Sequence, residues 1–177
     1  MVLASRDASK LEATKAELET RCAKDGVKAL LSCITLDLND QDSVRKGAAT
    51  FGAMGLKGLD LLINNAGVMA LKERKETVQG LERQVGVNHV GHFLLTKLLM
   101  PHLKAAKGGS RVICLSSSAY RLRNQSFPYN AVRRWEGIER LCVCVCVCVC
   151  VCVSVCVCVC VCVCVCVCVC VCVYVCV

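Results

Sequence analysis

Along the first 120 positions, short apolar runs take turns with longer stretches in which apolar residues recur every three or four places, the pattern of strands alternating with helices. Val2-Leu3-Ala4 reads as the last part of a buried strand already under way at Met1. Ser9 with Glu12 three residues on forms a capping box, and Leu11, Leu18 and Cys22 share one helical face until Gly26 stops the helix. Positions 31–38 are mostly apolar, as expected of a strand covered on both faces. Asp40 caps a second helix that ends in the glycine-rich stretch 52–58. A third strand over 59–63 runs into Asn64-Asn65-Ala66-Gly67. A long helix is predicted over 77–103, where Leu81, Val85, Asn88, His92, Leu95 and Leu99 recur on one face, with a polar Asn among apolar neighbours. Gly108-Gly109 breaks the chain before a fourth strand over 111–116. Strands and helices in this order imply an α/β fold, a parallel sheet doubly wound by helices on both faces.

Beyond Leu141 the pattern changes completely. Every odd position from 142 to 177 is Val, and every even position is Cys except Ser154 and Tyr174. Both exceptions are one nucleotide from the TGT codon of Cys, so a run of TG dinucleotides read in one frame accounts for the segment. Strict alternation with a β-branched residue favours strand over helix. The uncharged run exceeds the roughly 20 residues that span a bilayer, which keeps membrane association open without indicating it. No Gly or Pro lets it double back around a metal ion, and nothing in it resembles a disulfide framework.

Composition must therefore be read for the two parts separately. The net charge of +8 lies wholly before the repeat, as do only Cys22, Cys33 and Cys114 of the 19 cysteines. Three scattered cysteines and the early charges Arg6 and Asp7, which leave no room for an apolar leader, point to the cytoplasm. Arg121, Arg123, Arg133, Arg134 and Arg140 form a basic cluster, but no recognition-helix pattern accompanies it and no nucleic-acid partner is expected. His89 and His92 lie three apart without further ligands, which favours packing or hydrogen bonding over a metal site.

In a doubly wound sheet, ligands bind beyond the carboxyl ends of the strands. Arg6, Asp37, Asn65 to Gly67 and Ser116 to Ser118 each follow such an end. A glycine or serine after a strand is ordinarily only a turn residue. Four coincident strand ends are harder to dismiss.

The segments LDLLINNAGVM, TVQGLERQVGVNHVGHFLLTKLLMPHL and SRVICLSSS resemble the short-chain dehydrogenase/reductase family, within it the retinol-dehydrogenase-like branch. The likeness covers residues 1–120. It implies a partial doubly wound parallel sheet of Rossmann-like type that binds NADP or NAD and moves hydride to or from a lipophilic alcohol or carbonyl. It also implies roles for single residues. Ser117 matches the serine that hydrogen-bonds the substrate oxygen, and Asn88 the asparagine that anchors a water in a proton relay. Asn65, Ala66 and Gly67 match residues lying against the cofactor, Asp37 and the backbone of Leu38 those at the adenine. Asn64 matches a structural residue tying neighbouring strands together. Arg6, after a strand ending in Ser5 rather than a carboxylate, favours NADP over NAD, because a guanidinium pairs with the additional phosphate.

Two of the family's elements have no counterpart in this sequence. A glycine-rich strand turn, which seats the pyrophosphate, would precede Met1, and its strand would lie between those ending near Ala4 and Ile63, so two unpaired edges facing a gap are expected. No Tyr-x-x-x-Lys follows Ser117; Tyr129 and Arg133 have the spacing with Arg in place of Lys. The expected organisation is a partial dinucleotide-binding domain at 1–120, an irregular basic segment at 121–141 and a repeat tail at 142–177. The expectation for the chain as it stands is an NADP-dependent oxidoreductase inactive through truncation. The alternatives are a non-catalytic product of a faulty gene model and a fragment of a pigment reductase of the protochlorophyllide type.

Overall fold

The computed structural model describes residues 1–69, 71–117, 155–162 and 171–174, with backbone alone for 116–117 and the last two segments. Among the described residues, six strands form one sheet. β1 (Val2–Ser5), β2 (Ser32–Thr35), β3 (Leu61–Asn64), β4 (Ser110–Ser117), β5 (Val155–Cys162) and β6 (Val171–Tyr174) lie in the order β2-β1-β6-β3-β4-β5. The pairs β1–β2, β3–β4 and β4–β5 are parallel. The expected α/β parallel sheet is present, and the alternating tail forms strands where it is described.

The expected gap is filled. Val173 stands opposite Val2 on one side and Leu62 on the other, so β6 pairs with both β1 and β3, antiparallel to each. The two edges that the sequence left without partners therefore meet a strand of the repeat, whose period-2 character suits an extended chain.

Side chains alternate across the sheet. Val2, Ala4, Ile34, Leu62 and Val112 pack into one cluster with Val44, Ala48 and Phe51 of α2 (Gln41–Ala53) and Leu95, Leu99 and Leu103 of α4 (His92–Ala105). Phe51 meets His102 edge to face at 5.2 Å, joining the two helices. Leu3 points to the opposite face, where α1 (Ala8–Lys24) packs on β1 and β2 with Leu11 buried. At the edge of the sheet, β2 leaves Ser32 and Thr35 exposed while Ile34 is buried, so it is covered less fully than its apolar run suggests.

Two helix starts differ from expectation. Asp7, not Ser9, caps α1: its carboxylate accepts the Lys10 N–H from an extended backbone. The helix predicted from residue 77 begins only at α3 (Arg83–Val85). Gly80 sits at φ 74°, and the buried Glu82 caps the helix by accepting the N–H groups of Gln84 and Val85. Asp40 caps α2 as expected, accepting the Asp42 N–H. The Gln79 amide also donates to Asp40, and these bonds hold the Asp40 carboxyl below its usual range.

Candidate active site

Because β6 runs against both β1 and β3, those two strands point the same way, and the carboxyl ends of β1, β2, β3 and β4 share one edge of the sheet. Arg6, Asp37, Leu38, Asn65 to Gly67 and the terminal residue of β4, Ser117, follow or end those strands and so converge there. Asn88 comes to the same edge by hydrogen bonding. The Val68 N–H donates to Asn88 Oδ1 at 2.8 Å, and Asn88 Nδ2 donates to the Val68 carbonyl at 2.9 Å. The amide thus pairs with both backbone polar groups of one residue, as a neighbouring strand would, and it pins the turn after β3 to the helix. Gly67 lies against it, a Cβ there meeting Asn88 Oδ1 at 3.5 Å.

The helix carrying Asn88 departs from α geometry where it does this. Gly86–Gly91 forms a π-helical turn between α3 and α4. Such turns re-aim carbonyls and side chains and occur often at functional sites. The backbone N–H of His92 goes to the His89 carbonyl, while His92 Nδ1 lies 3.0 Å from the carbonyl of Asn88. Gly91 explains the close fit: a Cβ there would stand 2.8 Å from the Leu38 carbonyl oxygen. The end of β2 and the helix can approach this closely only without a side chain.

Asn64 ties the structure together as the sequence suggested. Its Nδ2 donates to Thr96 Oγ1 at 3.0 Å and to Cys114 Sγ of the neighbouring strand at 3.7 Å. Thr96 donates in turn to the His92 carbonyl at 2.8 Å. A polar thread therefore runs from β3 through α4 to Asn88 and back to Val68. Exchanging Asn88 for Asp removes the donor that faces the Val68 carbonyl and sets two acceptors against each other. Asn88→Asp is expected to cost about 2–3 kcal/mol, seen as a lower urea midpoint with an unchanged slope.

His92 is buried, and desolvation lowers its pKa from 6.5 to about 4, opposed by the bond to Asn88. Burial also lowers His89. In the unfolded chain His92 takes up a proton near 6.5 and in the folded chain only near 4, so the unfolded state gains protons first. This contribution to stability is complete above pH 6.5 and is lost as pH falls towards 4. Its full extent is about 3 kcal/mol. Urea unfolding at a series of pH values is expected to show the decline, and His92→Asn to flatten most of it.

At the other end of the edge, Arg6 is exposed, and no ion pair to it occurs among the described residues. Asp37 Oδ1 accepts the Asn39 N–H at 2.9 Å, and the Asp37 N–H donates to Ser43 Oγ at 3.0 Å, which fixes the turn bearing Leu38. The two ends suit the outer parts of a dinucleotide, a cation for a phosphate and small residues for close approach. The middle does not suit a pyrophosphate. The helix N-termini that follow β1 and β2 carry the carboxylates Asp7 and Asp40, which already accept N–H groups and repel an anion. Between β1 and β3, β6 presents its amino end to this edge, because it is antiparallel to both.

A model of the short chain dehydrogenase family matches residues 1–132. The chain belongs to that family. Mouse (Mus musculus) polyprenol dehydrogenase is 53% identical over 90 residues, which cover 49% of this dehydrogenase-family chain and 26% of that protein. Human (Homo sapiens) retinol dehydrogenase 11 is 43% identical over 120 residues, 68% of this chain and 36% of the relative. The chain thus spans about a third or less of these relatives. Among solved structures, the Pseudomonas aeruginosa RhlG/NADP complex superposes with a TM-score of 0.50 at 27% identity, over 74% of this chain and 49% of its own. A short chain dehydrogenase of Escherichia coli CFT073 gives 0.55 at 21% identity, over 71% of this chain and 53% of its own, a likeness of fold. The family and its retinol-dehydrogenase-like branch agree with the sequence motifs.

The hydrogen-bonding role of His92, anticipated only in general terms, and the cap at Glu82 are the site features the sequence concealed. Gly80 inside a helical pattern was the available signal for the second, since it marks a break that a cap must follow. Tyr129, Arg133 and the other arginines of the basic cluster lie outside the described residues, as does Ser118.

Proposed function

We propose that this chain carries the adenosine-facing and nicotinamide-facing parts of an NADP-dependent oxidoreductase that transfers hydride between nicotinamide and a lipophilic alcohol or carbonyl, and that the 177-residue polypeptide does not itself turn over. The observation that carries the first half is the clamp of Asn88 on Val68, which gathers the helix, the turn after β3 and the strand edge into one place. Asn65, Ala66 and Gly67 lie against the cofactor there. Ser117 steadies charge developing on the substrate oxygen. The Asn88 side chain is committed to Val68, so its backbone carbonyl is the atom left to hold a relay water. Asp37 and Leu38 face the adenine, and Arg6 selects NADP by pairing with its additional phosphate. When bound, the nicotinamide supplies the hydride acceptor or donor. The RhlG/NADP complex and the names of the retinol and polyprenol relatives support cofactor and substrate class.

The position of β6 favours the second half, since among the described residues an antiparallel strand occupies the slot between β1 and β3. The first half is tested by a chimera in which residues 1–120 replace the matching part of human retinol dehydrogenase 11. The chimera is expected to reduce retinal with NADPH, and Arg6→Ala to weaken NADPH at least about tenfold with little effect on NADH. A folded chimera indifferent to both coenzymes would contradict the assignment.

A further inference from the structure

We propose that His92 is a positioning residue: by donating Nδ1–H to the Asn88 carbonyl it fixes the one atom of Asn88 that the side-chain clamp leaves available for chemistry. The inference rests on the reading above that this carbonyl faces the reacting end of the site.

The tautomer follows from the partner. A backbone carbonyl only accepts, so the 3.0 Å contact requires the proton on Nδ1 and leaves Nε2 as a bare lone pair. Among the described residues Nε2 is buried without a partner. A side chain placed only to fill the core would not need to be a histidine with one nitrogen orphaned. What the imidazole gains here is a single directed bond, made where the π-helical turn has drawn its own backbone N–H towards His89. Burial keeps the ring neutral through the physiological range, so the donor is always Nδ1–H and never part of an imidazolium.

The rest of the thread serves the same end. Thr96 grips the His92 carbonyl and is itself held by Asn64, so the histidine is anchored to β3. Asn88 is held at its amide by Val68 and at its carbonyl by His92. Three of its polar atoms are thus fixed by side chain or backbone groups from outside its own peptide. A carbonyl oxygen has a second lone pair, and with the first engaged by His92 the second has a set direction.

Two substitutions separate positioning from packing. The Nδ2 of Asn stands near the place of Nδ1 and can donate, but Asn lacks the ring; Phe restores the ring volume and donates nothing. The test uses the full 177-residue chain labelled with ¹³C and ¹⁵N. Long-range ¹H–¹⁵N spectra are expected to show the Nδ1–H tautomer at His92 in the parent. In His92→Phe the Asn88 carbonyl carbon is expected to shift upfield and the Val68 amide to exchange about tenfold faster. In His92→Asn both are expected to stay near the parent values. An Nε2–H tautomer, or a His92→Phe chain that keeps the parent Asn88 and Val68 signals while His92→Asn loses them, would overturn the proposal. None of these readings depends on coenzyme binding, so failure of the hydride-transfer reading shows separately, in the chimera.

Discussion

Replacing Gly91 with alanine is expected to lower stability by about 1–3 kcal/mol, towards the upper end of that range. The added Cβ meets the Leu38 carbonyl oxygen at 2.8 Å and the Leu38 side chain at 3.0 and 3.1 Å. The first of these is backbone and cannot rotate aside. Leu38 is itself buried in the main cluster, so moving it disturbs the core on which α2 and α4 pack. The π-helical turn ends at this glycine, and relief of the clash has to shift Asn88 relative to the strand edge. Val68 should therefore lose amide protection along with the fall in urea midpoint. Gly67→Ala is the control for stability: its Cβ finds only an ordinary contact with Asn88, and a change within about 0.5 kcal/mol is expected. If Gly91→Ala were as mild as the control, the close approach of helix and strand end would be wrong.

Breaking β6 is expected to have the other large effect. Val173 lies in register with Val2, at the end of one ladder, and with Leu62, at the centre of the other. Proline there removes an N–H and cannot be accommodated in an interior strand. Loss of the strand opens the inner edges of β1 and β3 together, and several hydrogen bonds go with it. At about 1 kcal/mol each, the loss amounts to about a hundredfold or more in exchange rate. Val173→Pro should therefore deprotect Ala4 and Ile63, whose N–H groups face β6 because those of their strand neighbours bond β2 and β4, by that factor and promote association through the open edges, seen as mass growing with concentration in sedimentation. β4 is the internal comparison, because its partners β3 and β5 remain. Unchanged protection at Ala4 and Ile63 would mean that the repeat does not complete the sheet.

These two positions also show what could be read from the residues alone. The order of strands and helices was legible because apolar period and turn residues agree through the first 120 positions. The convergence at the strand edge was legible as well, since it follows from parallel connectivity and not from any single side chain. The start of the long helix was misread, because apolar spacing continues through 77–82 and only the tertiary bonds of Thr77, Val78 and Glu82 show that this stretch folds back on Asn39 and the helix start. Ser9 and Glu12 satisfied a capping pattern, yet Asp7 stands one residue before α1 and takes the cap by position. The occupant of the central slot was beyond reach of local pattern. Alternation says that the repeat prefers to be extended, but where a featureless strand pairs depends on which edges stand open.

In the proposed reading a hydride-transfer edge adjoins a blocked phosphate position, and NADPH is the probe that reads both. Titration of the 177-residue chain with NADPH, followed by coenzyme fluorescence, is expected to give no saturable change at micromolar concentrations. A saturable enhancement, with oxidation of the coenzyme when retinal is added, would contradict it.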